Sequence, residues 1–212
     1  MAIEKTITLY QYEELGESAK ESARQWWLEC RDSSDYDSVI EDFTEIVRLM
    51  GFEPTTHTVR TYGGQTREEP NVWWSLGYCQ SDYAGFESRY RYRKGGLAAL
   101  KAYAPKDTTL HAIAESLQEM QKRNFWAISA AIRFDDRRGY EITETLKDGC
   151  YMYGSDAECA AEEIIREACK DLSRWLYDHL RAEDEYLSSE EQIAEAMAAN
   201  EYTFREDGTR ED

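Results

Sequence analysis

Apolar side chains recur along this chain at two spacings, and the places where the spacing changes mark its elements. From Ile3 to Tyr10 apolar and polar positions alternate, as on a half-buried strand. Ala19, Ala23, Trp26, Trp27 and Cys30 then recur at helical spacing, as do Val39, Phe43, Ile46, Val47 and Met50, with Gly51 placed to cap that second helix. From Phe52 the period returns to two. Thr56 to Tyr62, Val72 to Cys79 and Phe86 to Arg93 are rich in β-favouring residues, and Gly63-Gly64 and Ser81 to Gly85 separate them, which predicts an antiparallel meander.

Helical spacing resumes at Leu97 to Tyr103 and stops at Pro105. Asp107 is a natural N-cap for a helix carrying Leu110, Ile113, Ala114, Leu117 and Met120. Phe125 to Phe134 and Tyr140 to Leu146 predict a hairpin turning at Asp135 to Gly139. A long helix is expected from about Asp156 to Leu187, and Ser188 with Glu191 forms an S-x-x-E capping box for a last helix to about Ala199.

These elements predict an α+β protein: an antiparallel sheet of about five to six strands packed against several helices, with a long helix toward the C-terminus. No repeat or Pro/Gly/Ser-rich linker divides the chain, so residues 1–205 read as a single domain, helical and acidic from about 156, and 206–212 as a flexible acidic tail. With 42% hydrophobic and 13% aromatic residues in 212, the chain is too apolar to be a disordered acidic polymer.

Charge changes this picture most. The formal net charge is -18, so direct binding to a nucleic-acid backbone or an anionic membrane starts at an electrostatic disadvantage, and a basic protein or a nucleic-acid-binding complex is the easier partner. Between Asp178 and Asp212 stand 12 acidic residues against 3 basic ones, half of the net charge. Asp178, Glu183, Asp184, Glu185, Glu190 and Glu191 are the candidate partner-binding acids. As one helix they space net charge every ~4 Å, close to the ~3.4 Å of a single DNA strand, so the alternatives are a solvated helix face and a nucleic-acid mimic.

The opposite sign appears at Phe86 to Lys94, F-E-S-R-Y-R-Y-R-K. Strand alternation puts Arg89, Arg91 and Arg93 on one face and Tyr90 and Tyr92 on the other. With Lys94 these are candidate ligands for an anion, and Trp73, Trp74 and Tyr83 are candidates to stack a base. The competing expectation is internal pairing with acids such as Glu68, Glu69, Glu141 and Glu144, or with the acidic helix.

Catalytic signatures are absent from the sequence: no P-loop, G-x-G-x-x-G or G-x-S-x-G occurs, and His57, His111 and His179 show no metal-ligand spacing. Neither an enzyme nor a bound metal or cofactor is expected. The five cysteines are odd in number and form no C-x-x-C, which argues against a disulfide framework or a zinc site. No apolar run spans a bilayer and Met1 to Leu9 lacks the features of a secretion signal, so the expected location is the cytoplasm.

Gly77 to Gly95 (G-Y-C-Q-S-D-Y-A-G-F-E-S-R-Y-R-Y-R-K-G), Tyr103 to Asp107 (Y-A-P-K-D) and Leu110 to Ala114 (L-H-A-I-A), with Tyr186 to Glu191 and Asn200 to Gly208, resemble a tailed-bacteriophage family often labelled "antitoxin of toxin-antitoxin stability system". The loop from Gln80 to Gly85 departs from that family's glycine-rich S-Q-G-D-G form but keeps Gln80 and Asp82. The resemblance implies a phage origin and a role in the cytoplasm of the infected cell, and carries over no catalytic residue. The reading is a phage-encoded acidic inhibitor that neutralises a host toxin, nuclease or defence component by protein contact; the alternative is a binder of an anionic, nucleotide-like ligand on the arginine strand.

Overall fold

The computed structural model describes residues 6–61, 63–77, 82–146 and 156–211. In chain order its elements are β1 (Tyr10–Gln11), α1 (Glu17–Glu29), α2 (Asp37–Met50), β2 (Phe52–Pro54), β3 (Thr56–Arg60), β4 (Thr66–Pro70), β5 (Val72–Ser75), β6 (Tyr83–Phe86) and β7 (Ser88–Arg91). There follow α3 (Gly96–Tyr103), α4 (Thr108–Arg123), β8 (Ile128–Asp135), β9 (Gly139–Leu146), α5 (Asp156–Leu187), α6 (Glu190–Ala199) and β10 (Thr203–Phe204). Antiparallel sheets packed against helices make the fold α+β, and the long helix has the bounds its periodicity predicts. Among the described residues no helix is long and apolar enough to cross a membrane.

The chain divides into two compact units: a terminal unit of Met1–Asp37 and Leu180–Asp212, and a sheet unit of Ser38–His179. The terminal unit draws on both chain ends, which a search along the sequence for linkers does not detect.

In the sheet unit the expected meander is three ladders meeting at a hub. Strand residues on either side of Thr55, Asn71 and Glu87 change partners: β2 pairs with β7, β3 with β4, and β5 with β6. At the centre Thr55 N–H donates to Glu87 C=O at 3.0 Å, Glu87 N–H to Asn71 C=O at 2.9 Å, and Asn71 N–H to Thr55 C=O at 2.7 Å. The Asn71 side chain fills the hub, donating to Thr55 Oγ1 and Glu87 Oε2. Each backbone group that leaves one ladder is thus paired by another strand. Among the described residues the largest sheet consequently has four strands, in the order β2-β7-β8-β9, and the other ladders have two each.

Alternation along β7 and β8 buries one face of that sheet. Tyr90, Ile128, Ala130 and Ile132 join Phe43 of α2 and Leu172 and Leu176 of α5 in the core. Phe86 stands at its centre, 5.2 Å from the Phe43 ring, 6.0 Å from Phe52 and 5.7 Å from Tyr140. The expected start of β8 at Phe125 moves to Ile128, because Phe125 and Trp126 adopt left-handed backbone angles that interrupt a strand. Gln121 of α4 is wholly buried, and its amide closes both ends on Ile128, donating to C=O at 2.8 Å and accepting from N–H at 3.3 Å. Gly51 follows α2 at φ +98°, with the Arg91 carbonyl where a Cβ would stand, so the cap expected there also lets α2 meet β7.

Asp107 caps α4 as its position predicts, accepting from Leu110 N–H at 3.0 Å, and its second oxygen accepts Trp175 Nε1–H at 2.7 Å. One carboxylate therefore starts α4 and ties it to α5. Asp107→Ala is expected to cost about 2–3 kcal/mol, the cap plus an orphaned indole donor. A urea midpoint lowered at constant slope checks this, with Asp107→Asn recovering about half.

In the terminal unit Tyr12, Leu15, Ala19 and Ala23 pack on Ile193, Met197 and Phe204. The strand expected from Ile3 to Tyr10 reduces, among described residues, to β1 paired with β10, and Ile7 and Leu9 stay exposed because β10 offers only two residues to pair with. The S-x-x-E box shifts by one residue: Ser189 caps α6 through Gln192 N–H, since Ser188 instead accepts from Arg31. Residues 206–211, expected to be loose, are held in place. Glu211 N–H donates to Thr203 C=O at 3.1 Å, Arg210 lies 4.5 Å from the Tyr202 ring centre and 4.9 Å from that of Trp26, and Gly208, at φ +83°, sits against the Ala19 carbonyl.

Candidate anion-binding face

The second face of the four-stranded sheet carries the side chains that alternate with the core set. Arg89 and Arg91 of β7 both project there and are exposed, whereas Ser88 and Tyr90 are buried. Register decides what surrounds them. Arg89 is flanked by Glu53 on β2 and Ala131 on β8; Arg91 faces Ser129 on β8 and on its other side donates its N–H to Gly51 C=O. Three of these four neighbours have short side chains or none, so the two guanidinium groups rim a depression of about 460 Å3 with Glu53, Ser129 and Ala131 in its lining.

Neither the Arg89 nor the Arg91 side chain has a hydrogen bond or ion pair among the described residues. The acids expected to neutralise them are engaged elsewhere: Glu68 accepts the hydroxyls of Thr56 and Thr58, and Glu69 accepts from Arg67. Glu141 lies opposite Arg133, and the Glu144 side chain is outside the described set. Glu53 lies 3.8 Å from Arg48, both about half exposed, a weak surface pair. Two cations two residues apart on a strand stand ~7 Å from each other and repel by about 0.6 kcal/mol in water, a cost that an anion between them removes.

Other sequence candidates are placed elsewhere. Arg93 is beyond the end of β7, where its guanidinium donates to Arg48 C=O at 2.9 Å and satisfies the C-terminal turn of α2. Lys94 is exposed beside the left-handed Gly95. Trp73, Trp74 and Tyr83 do not line the depression; Tyr83 packs 5.9 Å from Phe134, and Trp73 pairs in register with Gly85. The residues that sequence reasoning missed are Ser129 and Ala131, whose short side chains line the space. Only cross-strand register puts them beside the arginines.

The six candidate acids do not form one free patch. Asp178 belongs to the sheet unit and the other five to the terminal unit. Asp184, with a side chain only 14% exposed, pairs with Arg31 at 3.0 Å and accepts the Tyr36 hydroxyl at 2.7 Å. Glu185 pairs with Arg181 at 3.0 Å and Glu190 with Arg24 at 3.1 Å. Glu191 is exposed and Glu183 half-buried. The terminal unit as a whole nonetheless holds 20 carboxylates against 7 lysines and arginines, a net charge of -13 out of -18.

The histidines serve local structure: His57 meets Asn71 at the hub, His111 bonds Ala104 C=O, and His179 bonds Trp175 C=O and stacks on its ring at 3.6 Å. Cys169 is fully buried in the sheet unit, and burial pushes its thiol far above the usual range.

No curated protein and no solved structure matches the chain. One family does, over residues 36–190, a segment that contains the whole sheet unit with Arg89 and Arg91 and leaves α1 outside. The chain belongs to that family, described as Domain of unknown function (DUF8835).

Proposed function

We propose that this is a binding protein that captures an anionic group on the open face of β7 and β8. The observation that carries this reading is the pair Arg89 and Arg91, whose side chains have no hydrogen bond or ion pair among the described residues, above a depression of about 460 Å3, the size range of small-ligand sites. Two exposed guanidinium forks with room between strands suit phosphate or carboxylate recognition.

The expected result is binding of pyrophosphate by calorimetry at low salt, weakened at least tenfold in Arg89→Ala/Arg91→Ala. Both side chains are exposed and unpaired, so stability should stay within about 0.5 kcal/mol of the parent. A parent protein that shows no heat with pyrophosphate sinks this reading.

A second reading rests on the net charge of -13 in the terminal unit. That unit suits a basic protein partner, and with the phage resemblance it supports an inhibitor of a host toxin, nuclease or defence component acting in the host cytoplasm. Binding by this surface weakens steeply with salt. Glu183→Gln, Glu185→Gln and Glu191→Gln together test it without touching Asp184, by the loss of a low-salt partner in pull-downs from infected cells. Retention of the same partner by the triple variant speaks against it.

A further inference from the structure

A second depression, of about 650 Å3, lies between α4 and α5 within the sheet unit, again in the size range of small-ligand sites. Small residues open it: Ala112 and Ser116 on α4 and Ala168 on α5 stand where longer side chains would fill the space between the helices. Ile113, Ile164 and Ala168 give it an aliphatic lining, and Ala112 stays exposed.

The two helices bring different polar groups to it. Glu163, Glu167 and Asp171 line it from α5, and Thr108, Thr109 and Ser116 from α4. Positions 163, 167 and 171 are four apart, so the carboxylates follow one another along one face of α5 at ~6 Å intervals, over ~12 Å. Like charges one turn apart repel. Each acid has one weak surface partner on its own helix: Glu163 meets Arg166 at 3.2 Å, Glu167 meets Lys170 at 2.6 Å and Asp171 meets Arg174 at 3.1 Å. Each contact uses a single carboxylate oxygen, and among the described residues no donor reaches the second. The hydroxyls of Thr108, Thr109 and Ser116 likewise have no hydrogen bond among the described residues. The positive end of α4 is already covered, since the Asp107 carboxylate caps it.

This lining selects a ligand. An anion would meet three carboxylates. A single metal ion needs acids that converge on one point, and the described residues contain no such group of three. A linear cation with several charges matches instead. Ammonium groups joined by three or four methylenes stand about 5–6 Å apart at standard bond lengths, close to the interval of the carboxylates.

We propose that the α4–α5 groove binds a linear polyamine, its ammonium groups on Glu163, Glu167 and Asp171 and its methylenes against Ile113 and Ile164. The hydroxyls of Thr108, Thr109 and Ser116 accept remaining ammonium hydrogens from the α4 side. The site uses other elements and the opposite charge from the anion-binding face, and neither depends on the other.

A net charge of -18 attracts any cation, so the experiment must separate the groove from the general field. Calorimetric titration of the full chain at low salt compares spermidine, hexaamminecobalt(III), a compact cation of the same charge, and tetralysine. Spermidine is expected to bind at one equivalent and about tenfold or more tightly than the cobalt complex. Ala112→Phe fills the groove from an exposed helix position without changing charge and should weaken spermidine at least tenfold, as should Glu163→Gln/Glu167→Gln/Asp171→Asn. Ser116→Leu serves the same purpose if Ala112→Phe disturbs folding. Glu183→Gln/Glu185→Gln/Glu191→Gln, in the terminal unit, should leave spermidine binding within about twofold of the parent. Spermidine affinity that both groove-filling variants leave unchanged, or that is no higher than that of the cobalt complex, shows diffuse attraction to an acidic protein and overturns the site. Tighter binding of tetralysine overturns the ligand class in favour of a basic peptide, and a parent protein that does not bind spermidine overturns the proposal outright.

Discussion

Arg31→Ala is expected to destabilise the terminal unit by about 3–5 kcal/mol, the cost of leaving a buried charge without its partner. The Arg31 side chain is only 12% exposed, and every arm of its guanidinium is used: Nε meets Asp35 at 3.1 Å, Nη1 meets Asp184 at 3.0 Å and Ser188 at 2.8 Å, and Nη2 donates to the Tyr36 hydroxyl at 3.0 Å. Tyr36 in turn donates to Asp184, so removal of Arg31 takes a charged partner from the Asp184 carboxylate and a donor from the Tyr36 hydroxyl. Chemical denaturation of Arg31→Ala, Asp184→Ala and the double variant measures the coupling. The double variant should lose much less than the sum of the singles, because neither charge is then left alone.

The same cluster predicts a pH limit. Burial first, and then the hydrogen bond to Asp184, raise the Tyr36 hydroxyl above its ordinary value of 10.0. A raised folded-state value means that the contribution is complete below pH 10 and is lost as pH rises through the folded-state value, so the terminal unit weakens in strong alkali. A Tyr36→Phe variant should lack that alkaline slope. The cluster also qualifies Asp184 as a test residue. A variant that neutralises Glu183, Asp184 and Glu185 together loses partner binding by unfolding, whatever the acidic surface contacts.

Ending the chain after Tyr202 is the second large effect. It removes Phe204, which is fully buried among Tyr12, Leu15 and Ala19, together with the β1–β10 pairing and the stack of Arg210 on Trp26 and Tyr202. Loss of a buried Phe side chain alone costs about 3–5 kcal/mol. Hydrogen exchange at the α1 amides should accelerate by several orders of magnitude in the truncated chain. Removal of residues 211–212 alone, which leaves Phe204 and Gly208 in place, should cost far less. Equal protection of α1 in the full and truncated chains would show that the C-terminal segment is not part of this core.

Local signals were read most accurately where they are self-contained. The bounds of α5 from Asp156 to Leu187, the Asp107 cap of α4 and the Gly51 end of α2 follow from periodicity and from single residues that satisfy backbone groups within one turn. The alternation of Arg89 and Arg91 against Tyr90 was equally legible, because side-chain direction on a strand depends only on position. Errors lay where a partner distant in sequence decides. Ile3 to Tyr10 alternates like a strand, but residues 3–5 lie outside the described residues, and of the rest only Tyr10 pairs, because a strand needs a neighbour and β10 supplies two residues. Ser188-x-x-Glu191 has the form of a capping box, but Arg31 claims the serine, and the cap passes to Ser189.

The candidate sites divide in the same way. Sequence by itself determined that this is a folded α+β chain with its negative charge crowded toward the C-terminus and a run of arginines on one strand, because composition and period are local properties. Tertiary structure alone decided which of those charges remain available. Asp184 is spent on Arg31 and Tyr36, Arg93 on the end of α2, and Trp73, Trp74 and Tyr83 lie away from the depression they were expected to line. The Arg89 and Arg91 side chains remain without an ion pair among the described residues because register, which no single strand carries, sets Ser129 and Ala131 beside them on β8, while Glu53, across from Arg89 on β2, lies 3.8 Å from Arg48.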